Sequence, residues 1–322
     1  MQQHSIVSAA GFALCFSFLV GCGASASEEP TSSEPTASSD PSTTLGAQVG
    51  SSTTGTSSTA TGTDGVAAGA AIGATSGTTG ATEDTAIVSL NASPKPTSQC
   101  SVSKDSSGFF VRTSGKSSYV AYVPASYTGN EPMRVVVGLH GCSDTAMNFA
   151  TWGVNPWDTR KTQQHIGISV DGASGGAAGS NSCWTKGSDD AKVLAAVDDL
   201  AKCFWLDRSK VTLAGYSSGG ELAYKVALEN ADEFDGLIIE DSGLYANSNP
   251  DQLLANAAWR LPIAHITHTD DGVFPLSKVQ ADWAKTTAAG FPLTTKVVAG
   301  THSGTSDDWN TFLLPKITAW QH

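Results

Sequence analysis

The chain has few basic residues. Of its 322 residues, 30 are Asp or Glu and only 18 are Lys or Arg, which gives a formal net charge of -12. A protein that binds nucleic acid needs a basic surface that neutralises phosphates, so this composition argues against a nucleic-acid partner. The sequence also lacks C-x-x-C and His-x-His spacings, and it predicts neither a metal site nor a cofactor.

The N-terminal region lacks an apolar run long enough to cross a membrane. The apolar run at residues 8–20 suits the hydrophobic core of a signal peptide. It ends in Leu19-Val20-Gly21-Cys22, which resembles a bacterial lipobox, although residues 1–4 contain no Lys or Arg. We predict a lipoprotein-type signal peptide over residues 1–22, with lipidation at Cys22. The alternative is an ordinary cleaved signal in which Cys22 is incidental; both predict export, with membrane contact only through a lipid.

Aromatic residues are absent from residues 23–96, which consist mainly of Ser, Thr, Gly, Ala and Pro. Such a segment cannot bury enough apolar surface to offset its chain entropy. We therefore predict a disordered linker over residues 23–96. It is either a tether for the rest of the chain or a spacer without a role.

The composition changes after residue 96, where apolar runs alternate with helical patterns. Residues 134–139 form a nearly continuous apolar run, which is typical of a strand buried on both faces. The alternation of strands and helices predicts one α/β domain over residues 97–322, with a mostly parallel sheet and helices on both faces. We expect the protein to be a monomer. Strands are predicted at 119–124, 134–139, 165–170, 211–214, 236–240, 262–267 and 295–298; helices are predicted from Ser188 as N-cap, from 221, at 277–289 and from 307.

The segment 211–220 is the main candidate for catalytic chemistry. It contains a G-x-S-x-G motif with Ser217 at its centre. A predicted buried strand precedes the motif, and a segment of strong helix-forming residues follows it. Gly215 and Gly219 allow the strand and the helix to approach closely. Ser174 lies in a second match to the motif, but a loop-like sequence follows it, so we identify Ser217 as the nucleophile.

A serine nucleophile needs a general base and an acid that orients the base. His302 follows the last predicted strand and is the preferred base; His265 falls inside a strand, and His268 near a strand end is an alternative. Three acids fit the remaining role equally well by spacing alone. They are Asp241, Asp270 and Asp271.

The domain resembles the secreted esterases that include feruloyl esterases, acetylxylan esterases and polyhydroxybutyrate depolymerases. The resemblance rests on segments 138–142 (GLHGC), 183–184 (CW), 215–220 (GYSSGG) and 271–275 (DGVFP), and extends from about Cys100 to the C-terminus. It implies an α/β-hydrolase fold and selects Asp271 over Asp270 as the acid. It implies ester chemistry without specifying the ester.

The reaction also requires two backbone N–H donors for the developing oxyanion. Ser218, which follows the nucleophile, should supply one donor. The loop after His140 should supply the other through Cys142, and His140 itself is interpreted as structural. Trp184, Tyr216 and Trp152 are predicted to bind substrate, with loop packing as the alternative for the tryptophans.

Four cysteines remain outside the signal peptide, and an even number in an exported domain predicts two disulfides. The count allows three connectivities. We predict Cys142–Cys183, which would pin the oxyanion loop, and Cys100–Cys203, which would tie the start of the domain to the long helix.

These features predict an exported serine carboxylesterase that cleaves plant cell-wall esters through an acyl-enzyme. The expected substrate is an ester linked to a polysaccharide or a polymer. One alternative is a polyhydroxybutyrate or polyester depolymerase. The other is an inactive hydrolase fold used as a surface binding module, although a binder has no need of a complete Ser, His and Asp set.

Overall fold

The computed structural model describes residues 92–98, 100–115, 117–172 and 183–322. The predicted signal peptide with Cys22, most of the predicted linker and Ser174 lie outside these ranges. No helix within them combines the length and the apolar character that a membrane crossing requires.

In the part of the chain that the structure describes, eight strands form one sheet in the order β1-β2-β4-β3-β5-β6-β7-β8. Strand β2 runs antiparallel to both of its neighbours, and all the other pairs are parallel. The strands are β1 (Phe109–Ser114), β2 (Ser117–Tyr122), β3 (Met133–Leu139), β4 (His165–Val170), β5 (Leu206–Tyr216), β6 (Gly236–Glu240), β7 (Ile263–His268) and β8 (Leu293–Val298).

Helices connect the parallel strands. The α-helices are α1 (Ala146–Phe149), α2 (Asp190–Ala201), α3 (Ser218–Glu229), α4 (Pro250–Asn256), α5 (Leu276–Ala288), α6 (Ser306–Asp308) and α7 (Leu314–Ile317). Two π-helical segments, Ala150–Val154 and Trp309–Leu313, continue α1 and α6, and two short 3-10 helices lie at Ala231–Glu233 and Leu244–Ala246.

The core lies on both faces of the sheet. Every residue of β4, β6 and β7 is buried, as expected of strands covered on both sides. One apolar cluster includes Val135 and Leu213, whereas a second contains their strand neighbours Val136 and Ala214. Successive side chains of a strand point to opposite faces, so the two clusters occupy opposite sides of the sheet. The predicted α/β-hydrolase architecture is confirmed.

Several boundaries differ from the predictions. Strand β1 was not predicted, because only its first two residues are buried and its alternation is weak. Ordered contacts also begin before residue 97, since Ala92 forms an antiparallel bridge with Asp207. Helix α3 begins at Ser218 rather than at 221. The predicted N-cap Ser188 is wrong: Asp189 occupies that position.

Candidate active site

Ser217 lies in a sharp turn between β5 and α3. Its backbone adopts φ 54° and ψ -125°, a region that non-glycine residues rarely occupy. Two glycines make the turn possible, because a Cβ on Gly215 would collide with the backbone of Gly220 and a Cβ on Gly219 would collide with the carbonyl oxygen of Leu139. Both glycines therefore allow the backbones of the strand and the helix to approach closely, as predicted.

The structure brings Ser217, His302 and Asp271 into one hydrogen-bonded chain. The Ser217 Oγ lies 3.0 Å from His302 Nε2, and His302 Nδ1 lies 2.9 Å from Asp271 Oδ2. The second oxygen of Asp271 accepts hydrogen bonds from the backbone N–H groups of Val273 and Phe274, both at 2.8 Å. These bonds fix the carboxylate and leave one oxygen for the imidazole.

Aromatic rings hold the His302 imidazole. The Tyr216 ring stacks on it with centroids 5.3 Å apart and planes inclined by 22°, and the Phe274 ring lies 5.7 Å away. Burial raises the pKa of Tyr216 to about 12. Phe274 was not identified from the sequence, although it lies in the segment that indicated Asp271.

The loop after β3 approaches the nucleophile from the other side. A Cβ on Gly141 would lie 2.9 Å from the Tyr216 ring and 3.4 Å from the Ser217 Cβ. Cys142, the expected second oxyanion donor, directly follows Gly141 in this loop, and its role stays a prediction. Ser218 is the first residue of α3, so no helical carbonyl precedes it to accept its N–H.

A disulfide and an indole hold this loop. Cys142 is bonded to Cys183, as predicted. Trp184 donates its Nε1–H to the carbonyl oxygen of His140 at 2.7 Å, and the two rings pack 4.9 Å apart. His140 Nε2 accepts a hydrogen bond from the backbone N–H of Gly172, with 3.2 Å between the two nitrogens. This contact agrees with a structural role for His140.

The other two candidate acids occupy different places. Asp270 is exposed, and its Oδ2 accepts the hydroxyl of Thr269. Asp241 is buried, and both of its oxygens lie 2.9 Å from His268 Nδ1. The alternative base His268 therefore pairs with the alternative acid Asp241, outside the chain that reaches Ser217. His265 is fully buried, as expected of a core residue.

The predicted substrate-binding aromatics differ in exposure. Trp184 is only 8% exposed and supports the oxyanion loop. Trp152 is half-buried and packs edge-to-face on Tyr216 at 5.3 Å. Contact of these three residues with substrate stays a prediction. A cavity of about 920 Å³ lies elsewhere, at the amino-terminal ends of β3, β4 and β5, where Arg134 and His165 line it.

One group of side chains has the composition of a cation site. Asp241, Asp271 and His302 each offer an atom, and the three atoms lie within 4.8 Å of one another. The His302 Nδ1 and the Asp241 oxygens already take part in the hydrogen bonds described above. An ion would have to displace these bonds, and we assign no metal to the site.

The sheet order, the strained elbow and the Ser217–His302–Asp271 chain at the carboxyl ends of the strands define the α/β-hydrolase class. Within this class the chain belongs to the Dienelactone hydrolase family, whose model matches residues 112–308.

Two similar curated proteins come from fungi. The chain is 28% identical over 132 residues to a probable feruloyl esterase C of Aspergillus flavus, and 25% identical over 130 residues to feruloyl esterase C of Emericella nidulans. Each match covers 39% of this chain and 46% of the relative, so the chain spans about half the length of the curated relatives it matches. A solved ferulic acid esterase aligns with a TM-score of 0.50 at 16% identity, covering 65% of this chain and 96% of that one, which shows the shared fold.

Proposed function

We propose that the protein is a serine carboxylesterase. The observation that carries this proposal is the hydrogen-bonded chain from Asp271 through His302 Nδ1 and Nε2 to the Ser217 Oγ. This order of contacts is the one that activates a hydroxyl for attack on an ester carbonyl. The resemblance to feruloyl esterases supports ester rather than amide substrates.

The first half of the reaction forms an acyl-enzyme. The Ser217 Oγ attacks the ester carbonyl carbon while His302 Nε2 takes the hydroxyl proton, and Asp271 stabilises the resulting imidazolium. The backbone N–H groups of Ser218 and Cys142 receive the oxyanion of the tetrahedral intermediate. When this intermediate collapses, the alcohol leaves with the proton from His302.

Water completes the cycle. His302 deprotonates a water molecule that attacks the acyl carbonyl carbon. As the tetrahedral intermediate collapses, the protonated His302 returns the proton to the Ser217 Oγ and the carboxylic acid is released. The stacking of Tyr216 and the hydrogen bond to Asp271 keep the imidazole in one orientation through both halves.

The proposed substrates are feruloyl or acetyl esters of plant cell-wall polysaccharides. The names of the relatives support the feruloyl class, and Trp152 beside Tyr216 offers an aromatic surface next to the nucleophile. Export of the chain, with lipidation at Cys22, belongs to the same proposal. The two disulfides support export, because such bonds persist in oxidising compartments.

A panel of esters tests the substrate class. Purified protein is assayed on methyl ferulate, acetylated xylan, short p-nitrophenyl esters and polyhydroxybutyrate. We expect turnover of methyl ferulate or acetylated xylan together with the p-nitrophenyl esters. Turnover of polyhydroxybutyrate alone would favour the polyester depolymerase, and no turnover of any ester would favour the binding module.

The Ser217→Ala variant tests the mechanism. Ester hydrolysis should be abolished while the thermal unfolding midpoint stays close to that of the wild type, because the lost oxygen forms the covalent bond. Ser174→Ala, in the second G-x-S-x-G match, is the control and should keep its activity. Loss of activity in Ser174→Ala instead would show that the nucleophile is misassigned.

A further inference from the structure

A second aspartate faces the catalytic imidazole. Asp241 directly follows β6, is fully buried and has a left-handed backbone with φ 44°. One oxygen of Asp241, one oxygen of Asp271 and one ring nitrogen of His302 lie within 4.8 Å of one another. Two carboxylates therefore approach one imidazole, and the mechanism above uses only Asp271.

The contacts of Asp241 connect it to the loop that carries His302. Its Oδ2 accepts the backbone N–H of Ser303 at 3.3 Å, and its Oδ1 accepts the backbone N–H of His268 at 3.0 Å. The His268 Nδ1 lies 2.9 Å from both oxygens and completes a set of three donors. A carboxylate satisfies three donors, whereas a protonated acid would present a hydroxyl to one of them.

The surroundings of Asp241 explain how a negative charge is held there. Burial raises the pKa of Asp241, while the hydrogen bond from His268 and the charge of His268 oppose this rise. His268 also approaches Asp308 of α6, with 3.6 Å between its Nε2 and Oδ2. His268 therefore lies between two carboxylates, and its Nδ1 bonds the Asp241 carboxylate and holds it in place.

The preceding residue acts on the same loop. The Glu240 carboxyl accepts the backbone N–H of Thr305 at 3.2 Å and the Nε1–H of Trp309 at 2.6 Å, and burial raises its pKa well above the ordinary value. Glu240 and Asp241 thus bind alternate residues, Thr305 and Ser303, of the segment after His302. Two residues at the end of β6 therefore hold the segment after His302 through hydrogen bonds to its backbone.

We propose that Asp241 is a positioning residue for His302, held in place by His268. It fixes the His302 loop through the Ser303 N–H and adds a second negative charge that faces the imidazolium formed when Ser217 attacks. This role rests on the proposed esterase function. It requires no covalent step at Asp241, because the proton on His302 comes from Ser217 and goes to the leaving alcohol.

Asp241→Asn removes the charge and keeps the shape of the side chain. We expect kcat to fall roughly 100-fold with KM nearly unchanged, because a small misplacement of a catalytic group can cost that much. The acidic limb of the kcat/KM profile should move to lower pH, since loss of a nearby negative charge makes the imidazolium easier to deprotonate. His268→Ala should lower kcat similarly, and His268→Asn, which restores a donor near the Nδ1 position, should recover part of the loss.

Asp235→Asn is the matched control. Asp235 precedes β6 as Asp241 follows it, is equally buried and is bound to Arg134 and Thr212. Its replacement should lower the thermal unfolding midpoint without moving the acidic limb. This variant measures what loss of a buried carboxylate does to stability alone.

NMR titration of the His302 ring in the wild type and in Asp241→Asn gives a readout that needs no substrate. We expect the ring to titrate at lower pH in the variant, together with the kinetic shift. If Asp241→Asn loses stability as Asp235→Asn does but leaves the NMR titration, the acidic limb and kcat unchanged, Asp241 is structural and the proposal is wrong. If the wild type hydrolyses no ester while the NMR shift is present, the esterase function fails and the charge effect stands.

Discussion

At the residue scale, two adjacent aspartates provide a sharp test of the acid. Asp271→Asn should lower kcat by about 10⁴ with KM largely kept, because the amide no longer enforces the reactive imidazole tautomer. Asp270→Asn is the control, since Asp270 is exposed and does not contact His302. Steady-state kinetics on a p-nitrophenyl ester measure both. A larger loss in Asp270→Asn than in Asp271→Asn would overturn the assignment.

The sequence could predict that Ser217 and His302 meet, which the structure confirms, but it could not choose the acid from spacing. Asp241 follows β6 and Asp271 follows β7, so neighbouring parallel strands deliver both carboxylates to the same edge of the sheet. What separates them is a rotation of each side chain: Asp271 Oδ2 reaches His302 Nδ1 at 2.9 Å, whereas Asp241 turns to His268. No local pattern encodes that choice, and only the family resemblance indicated Asp271.

At the element scale, the two disulfides hold different parts of the fold. Cys100–Cys203 joins residues 103 positions apart, and Cys203 lies just after α2. A Cys100→Ser/Cys203→Ser variant should lose about 2–5 kcal/mol of unfolding free energy, because the crosslink restricts a long loop of the unfolded chain. Its kcat should be unchanged. Urea denaturation and initial rates check both statements.

Cys142–Cys183 should behave in the opposite way. It closes a shorter loop of 41 positions but holds the backbone that we expect to receive the oxyanion. Complete loss of one oxyanion donor costs about 10²–10³ in kcat, which sets the upper limit for Cys142→Ser/Cys183→Ser. If this variant kept full kcat and lost only stability, Cys142 would not be a donor.

Strands could be predicted from the sequence where their hydrophobic pattern is strong. Strands β4 and β6 have the predicted bounds because continuous apolar runs identify strands buried on both faces. Strand β1 was missed because it is an edge strand whose last four residues are partly exposed. The start of α3 directly after Ser217 was not predictable, because sequence patterns do not define a helix boundary to within one or two residues.

At the scale of the whole molecule, buried histidines should make the fold sensitive to acid. Burial lowers the pKa of His165 to about 4 and that of His265 to about 3. The unfolded chain therefore binds protons that the folded chain does not, and stability should fall as pH drops below about 6.5 toward 4. Each histidine should contribute about 1.4 kcal/mol per pH unit in this window.

His165→Gln isolates one of these contributions. The glutamine does not titrate, and its amide can still bond the carbonyl oxygen of Val154, which His165 Nε2 contacts at 2.9 Å. The unfolding free energy of the variant, measured by urea denaturation between pH 4 and 6.5, should change less steeply with pH than that of the wild type. Buried acids such as Glu240 act in the opposite direction, so the difference between the two slopes is the informative quantity. Equal slopes would show that His165 is protonated in the folded state.

The bridge between Ala92 and Asp207 brings the first described residue to the half of β5 that lies away from Ser217. Asp207 lies near the start of β5 and Ser217 just beyond its end, so the strand separates them by roughly 30 Å. The C-terminal His322 joins the same half of the strand, since its backbone N–H bonds the carbonyl oxygen of Ser209. A tag fused after His322 would therefore begin at the end of β5 remote from Ser217, and it should leave the candidate site open to a bulky polymeric ester.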